Sequence, residues 1–365
     1  GSQKNRFTLT PIAKPASKKL TVATRGDVIQ VRGGLLNVDV GTSPLLIVRR
    51  ASDRTTLTKG EGLTAQMTFV GPDGENPQVH PMLVVGQKPT VVVRTDSRVV
   101  IRVPGCFIDG AGQNVGELIL FIEVLRDIPE IRLEPVWIYN GHADWHLVKS
   151  LTLTAHVPLD AAECSYGFSE ERGQGFWDVI QRYKEEKAGQ GDGPRWPLAR
   201  LVQLGSSFYR IEKKTFEQTA SWLKATEGSA AQGWCHVTDG KVAVTGAMRY
   251  FWQEYPHSLS IDCDRGEMTF GLVPPESKPL DLRRYSPKIY GSTMYEAGQG
   301  SYQTDFHGPR GVAKAHELML RFHAPGDEDI AEKAIRFGHP CRVLRPVADF
   351  TNSAVIGHIA APDPS

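Results

Sequence analysis

No stretch of this chain is apolar for long enough to cross a bilayer, so no membrane partner is expected. Nor is there a block or stripe of like charge. The 42 basic and 41 acidic side chains leave a formal net charge of +1, which argues against nucleic acid as the main partner. The five cysteines, Cys106, Cys164, Cys235, Cys263 and Cys341, form no CxxC pair, and the usual structural zinc spacing is therefore missing. Their odd number fits either a reduced interior or one or two bridges with a thiol left over. Cys235 and Cys263 lie on strand-like segments that could be neighbours. A GxSxG elbow, a Walker loop, a GxGxxG leading into a helix and an HExxH helix are all absent. Those absences remove the α/β-hydrolase, nucleotide-binding and zincin readings, and no cofactor is expected. No repeat of fixed period is visible, which argues against a propeller or a solenoid. Gly1-Ser2 reads as an expression scar, so the lack of a leader says nothing of origin.

What is present is turn residues and alternation. Gly (36) and Pro (24) are abundant, as in proteins made of many short strands. Segments 27–32, 66–70, 90–94, 99–103, 118–125, 131–139 and 150–157 alternate with period two and read as strands. Two segments read as helix. Residues 175–188 place Phe176, Trp177, Ile180 and Tyr183 on one face, and residues 327–337 open with acidic side chains that suit a helix N-terminus. A chain of 365 residues exceeds one ordinary core, so two units are expected, with a boundary between Pro158 and Gly193. The fold class is mostly β: an N-terminal barrel or sandwich, then a β-sandwich, with few short helices.

Three constellations stand out. The stretch Gly233–Pro256 reads as two strands joined at Asp239-Gly240 and ends in Arg249, Tyr250, Trp252 and Tyr255. Aromatic faces beside a few fixed charges suit sugar rings, whose C–H faces stack and whose hydroxyls need partners. The second is Tyr290, Tyr295, Tyr302, His307, Arg310, Lys314 and His316, in and flanking a glycine-rich loop over residues 291–311. It gathers the side chains that abstract protons or clamp anions; the alternative is a solvated surface loop. The third is His142, Asp144 and His146. On a strand these would share a face and could ligate a transition metal, whereas the preceding Asn140-Gly141 points instead to a turn. Among carboxylates, Glu254, Glu296, Asp305 and Glu317 show no spacing that favours a glycosidase pair. Trp137, Trp145, Trp177 and Trp196 read as core, and Trp252 as a ligand contact.

The ordered set Trp196-Pro197, Leu204–Arg210, Gly233-Trp234, Asp239–Val244, Phe251–Pro256, Pro274-Pro275, Asp281–Arg283 and Gly311–Glu317 resembles the exo-rhamnogalacturonan lyase-like family, polysaccharide lyase family 26 and its bacterial relatives. The resemblance implies an N-terminal RIFT-type β-barrel (residues 3–160), a central β-sandwich (161–345) and a tail (346–365) similar to the segment that leads into a helical toroid. Either the chain is cut before that toroid or it is a short relative without one. Where that family has an acidic residue before its Phe-Trp pair, this chain reads Met248-Arg249-Tyr250. The implied chemistry is β-elimination on a uronate-containing glycan. His316 or Tyr255 would serve as base or acid, Arg249, Arg310 and Lys314 as carboxylate clamp, and Tyr250, Trp252, Tyr295, Tyr302 and His307 as substrate contacts. The implied partner is an acidic polysaccharide or oligosaccharide. A secreted or periplasmic location is expected, with the cytoplasm left open. A non-catalytic carbohydrate-binding or scaffold module, and a metal-dependent enzyme using His142, Asp144 and His146, remain as alternatives.

Overall fold

The structure, a computed structural model, describes residues 19–84, 86–171, 175–179, 196–215, 219–283, 309–326 and 329–339. These residues are mostly strand. A first sheet of four strands runs in sequence order: β1 (Thr21–Arg25), β2 (Val28–Arg32), β3 (Leu36–Val40) and β4 (Leu46–Arg50). Then follow β5 (Leu63–Val70), β6 (Gln78–Pro81), β7 (Thr90–Arg94), β8 (Arg98–Ile108), β9 (Asn114–Leu125), β10 (Glu130–Tyr139) and β11 (Leu147–His156). Past residue 160 come β12 (Ser165–Ser169), β13 (Gly175–Val179), β14 (Leu198–Gly205), β15 (Phe208–Lys214), β16 (Leu223–Gly228), β17 (Trp234–Thr238) and β18 (Ala243–Met248). The last elements are β19 (His257–Asp262), β20 (Glu267–Val273), β21 (Ala313–Ala315), β22 (Leu318–His323) and the helix α1 (Ile330–Gly338).

Two large antiparallel sheets hold most of these strands. One has the order β13-β12-β17-β18-β22-β10-β9-β8-β7, with β21 also on β10; the other runs β16-β15-β14-β19-β20-β11-β5-β6. Both draw strands from either side of residue 160. The strand of residues 130–139 pairs with that of 318–323, and the strand of 147–156 pairs with that of 267–273. No closed barrel forms among the described residues. The first four strands make an open meander, β5 pairs with β6 and β11, β7 to β10 pair in sequence order, and β10 and β11 also join strands past residue 160.

Alternation decides which side chains meet between the sheets. On β18, Val244 and Met248 face inward and join the main core, while Ala247 faces outward to pack with Trp234, Met319 and Phe337 under α1. Each fully buried aliphatic or aromatic side chain of such a core contributes about 1.5–3 kcal/mol. The sheets approach closely at Gly246, where a Cβ would lie 2.5 Å from Met268 Sδ and 2.8 Å from Phe270 Cζ. Glycine is the residue that fits there.

Segment 175–188 does not begin as a helix. Residues 175–179 form β13, with period-two placement: Phe176 packs toward the core, Trp177 covers Gly167, and Asp178 is buried against Lys213 at 2.9 Å. Residues 180–195 lie outside the described residues. The helix read at 327–337 is present as α1. The Cys164 thiol, then burial, pushes the Cys263 thiol up, and Cys164 Sγ–H itself donates to the Asp160 carbonyl at 3.3 Å; Cys341 lies outside the described residues.

Candidate functional site

The turn after β18 carries the aromatic cluster, and one buried side chain sets its course. Phe251 is 1% exposed, so the chain must dip into the core there. His257, at the start of β19, is fully buried and donates Nδ1–H to the Phe251 carbonyl at 2.9 Å. Tyr250 adopts φ 57°, uncommon for a residue with a Cβ, and its carbonyl accepts the Glu254 N–H at 2.9 Å. With Phe251 pinned inward, Tyr250 (42% exposed) and Tyr255 (45%) stand out of the turn, and Trp252 is half-buried.

Tyr255 borders a cleft of about 780 Å³ at one end of the sandwich. One wall comes from β10 and β21, where Trp137 and Lys314 are register partners and therefore share a face. The other comes from the turn before β19 and from the segment after β20, which bring Glu254, Glu276 and Asp281, with Pro256 and Leu272 as apolar surface. Charge in and behind the cleft is largely paired. Lys314 Nζ lies 3.3 Å from Glu254 Oε2, Arg200 Nη1 lies 2.7 Å from Glu276 Oε1, and Arg283 forks onto Asp281 at 2.6–3.0 Å. Lys278 adds a cation with no carboxylate partner among the described residues. Two residues of the lining each hold a buried polar atom without a partner among the described residues: Trp137 Nε1, a donor, and Glu276 Oε2, an acceptor.

His316 lies on the same face as Lys314 but behind the cleft wall. It is 4% exposed, its N–H donates to the Pro135 carbonyl, and its ring meets His257 edge-on at 5.1 Å. Burial, then His257 and Lys314, push its pKa down to about 2. Burial also pushes His257 down to about 4, with Lys314 adding to the shift and the Phe251 carbonyl opposing it. Both imidazoles are neutral at ordinary pH, and both Nε2 atoms are buried without a partner.

The other residues singled out in the sequence lie elsewhere. Arg249 is outside the cleft, on the outer face of its sheet. It pairs with Glu317, donates Nε–H to the Phe337 carbonyl at 3.0 Å, and stacks on the Phe337 ring at 4.8 Å. Its place is structural, tying α1 to the sheet. Arg310 is exposed beside Tyr139 and His146, near the turn of residues 141–146. Tyr290, Tyr295, Tyr302 and His307 lie outside the described residues.

The strand geometry that would let His142, Asp144 and His146 converge is absent. Residues 141–146 form a turn, as the Asn140-Gly141 step allows, and its backbone uses both imidazoles. The His142 N–H donates to His146 Nδ1 at 3.0 Å, and the Asp144 N–H donates to His142 Nδ1 at 3.3 Å. Among the described residues no group of three His, Cys, Asp or Glu side chains is placed to hold a metal ion.

The cleft thus unites Tyr255 and Lys314 with two residues that sequence reasoning passed over. Trp137 reads as core in the sequence, and it is buried, yet its indole N–H is left over. Glu276 follows the Pro274-Pro275 step and carries no motif of its own. Its position depends on Arg200, which is distant in the chain.

Among solved structures, the fold is similar to a galactose mutarotase-like protein from Clostridium acetobutylicum, with 10% identity and a TM-score of 0.38 over 85% of this chain and 100% of that one. It is also similar to a glycosyl hydrolase family 38 protein from Enterococcus faecalis, with 9% identity and a TM-score of 0.47 over 87% of this chain and 33% of that one. The uncharacterized protein YetA of Bacillus subtilis (strain 168) is 30% identical over 182 residues, 48% of this chain and 21% of YetA. The chain therefore spans about a fifth of the length of that curated relative. Residues 173–334, which carry Tyr255, Glu276 and Lys314, match the family model of the PcRGLX-like protein central beta sandwich domain.

Proposed function

We propose that this protein is carbohydrate-active and that the cleft of Trp137, Tyr255, Glu276 and Lys314 is its glycan site, acting as a polysaccharide lyase on a uronate-containing chain. The observation that carries this reading is the meeting of Tyr255 and Lys314 in one cleft. They stand there with the exposed ring of Tyr255 and beside Trp137 and Glu276, each of which holds a buried polar atom without a partner among the described residues. The match of residues 173–334 supports it, through the family that the sequence motifs resemble.

In a β-elimination a base takes the C5 proton and the C5–H electron pair passes toward the uronate carboxylate. That pair returns to form the C4=C5 double bond as the C4–O bond breaks, its electrons leave with the glycosidic oxygen, and that oxygen takes up a proton. Negative charge grows on the carboxylate, so a cation held at that point lowers the barrier. Lys314 is the cation placed for this role, with the substrate carboxylate replacing Glu254 as its partner. Tyr255, exposed on the rim, is the proton carrier. A base must come within hydrogen-bond reach of the proton it takes, and buried His316 does not present its ring to the cleft. His316 and His257 act instead from behind, His257 by holding the Phe251 carbonyl.

The test is ultraviolet absorbance of the unsaturated uronate during incubation with a panel of acidic polysaccharides. Absorbance rises with at least one of them. Lys314→Ala and Tyr255→Phe each lower kcat/KM by about 10²-fold or more, while Arg310→Ala leaves it within about twofold. A flat trace from folded protein, with retained saccharide binding, would leave a non-catalytic binding module as the reading. The Lys314–Glu254 pair already neutralises the clamp in that second reading.

A further inference from the structure

Glu276 is held more firmly than a surface carboxylate needs to be. Its Oε1 accepts from Arg200 Nη1 at 2.7 Å, and Arg200 is fixed in turn by Glu212 at 2.7 Å and by the Trp222 ring 3.8 Å beneath it. The turn that carries it is tied as well. The Ser277 N–H and Oγ–H both donate to the Pro274 carbonyl, at 3.0 and 2.8 Å, and Lys149 Nζ donates to the Ser277 carbonyl at 2.7 Å. All this leaves Glu276, a residue of the cleft lining, with its Oε2 buried and without a partner among the described residues. On the wall drawn from the other sheet, Trp137 is 3% exposed and its Nε1–H also has no partner.

We propose that Glu276 and Trp137 together determine specificity by reading the hydroxyl groups of a sugar ring. Glu276 Oε2 accepts a hydroxyl proton, and Trp137 Nε1–H donates to a hydroxyl oxygen. The donor and acceptor inventory selects this ligand group. An ionised carboxylate only accepts, so a ligand carboxylate or phosphate is repelled at Glu276. An indole only donates, so an ammonium group would satisfy Glu276 and leave Trp137 unpaired. A hydroxyl both gives and accepts. Neutral polyhydroxylated ligand surface therefore belongs at this pair, and a ligand carboxylate belongs at Lys314. The inference rests on the reading of the cleft as a glycan site and adds residues that neither the motifs nor the lyase chemistry assign.

The experiment is saturation-transfer NMR and calorimetry on the full chain with aldohexoses, 6-deoxyhexoses, hexuronates and their single-position deoxy analogues. Wild type binds at least one parent sugar. Removing the recognised hydroxyl from that sugar weakens binding about tenfold or more, as does Glu276→Gln. The deoxy analogue then binds wild type and Glu276→Gln alike, because the two changes remove the same contact. Glu276→Gln leaves Arg200 on Glu212, and an unchanged melting temperature checks its fold. Equal binding of every deoxy analogue to wild type overturns the proposal without need of any variant, as does a folded Glu276→Gln that binds as tightly as wild type. In both cases the glycan site itself stands. Failure of folded wild type to bind any sugar overturns the reading of the cleft, and this proposal with it.

Discussion

At the residue scale, the candidate site combines exposed polar and aromatic groups with buried groups that hold them. His257 and His316 are of the second kind, and they give the protein a definite response to acid. An unfolded imidazole titrates near 6.5, whereas burial holds His257 at about 4 and His316 at about 2. Below pH 6.5 the unfolded chain binds protons that the native chain does not. Stability is complete above that pH and falls as pH drops toward the folded values, by up to about 1.4 kcal/mol per pH unit per histidine. The urea midpoint should therefore fall between pH 7 and pH 5, and His316→Leu should show a shallower fall than wild type over the same range. A variant with the wild-type slope would contradict burial as the cause. Tyr255 and Lys314 were legible in the sequence because their motifs carry them. Glu276 and Trp137 were not, since their meaning lies in a distant arginine and in a missing partner, and neither leaves a local pattern.

At the scale of elements, alternation told most of the story. The strands of residues 90–94 and 131–139 and the hairpin through Asp239-Gly240 follow directly from period-two placement. The misreading of residues 175–179 has a physical cause. Phe176 and Trp177 are both large and apolar, which mimics a helical face, yet one packs inward while the other lies over a glycine on the outer surface. The turn of residues 141–146 misleads in the same way, because His-x-Asp-x-His converges only on a strand. Close sheet packing makes a sharper prediction. Gly246→Ala forces a methyl group against Met268 and Phe270 and should cost about 1–3 kcal/mol, read as a lower urea midpoint with an unchanged far-ultraviolet spectrum. Gly205→Ala, with open space around the added carbon, should fall within about 0.5 kcal/mol of wild type. Equal effects at the two positions would contradict the packing described.

At the scale of the whole molecule, the two large sheets bind the halves of the sequence into one frame. Two strands that precede residue 160, β10 and β11, hydrogen-bond to strands that follow it, and the cleft needs both halves. Trp137 comes from the first half, while Tyr255, Glu276 and Lys314 come from the second. A mostly-β sandwich was legible from turn density and alternation. The interleaving was not, because pairing between residues far apart in sequence leaves no mark on either strand alone. The interleaving also means that the segment of residues 173–334 carries only one wall and part of the other. The most direct test of the account is a crystal structure of the full chain with a bound acidic oligosaccharide. It should show the sugar in the cleft against Tyr255, with a carboxylate in salt-bridge reach of Lys314 and hydroxyls on Glu276 and Trp137. A sugar seated elsewhere, such as over the exposed ring of Trp177, with the cleft unaltered, would contradict it.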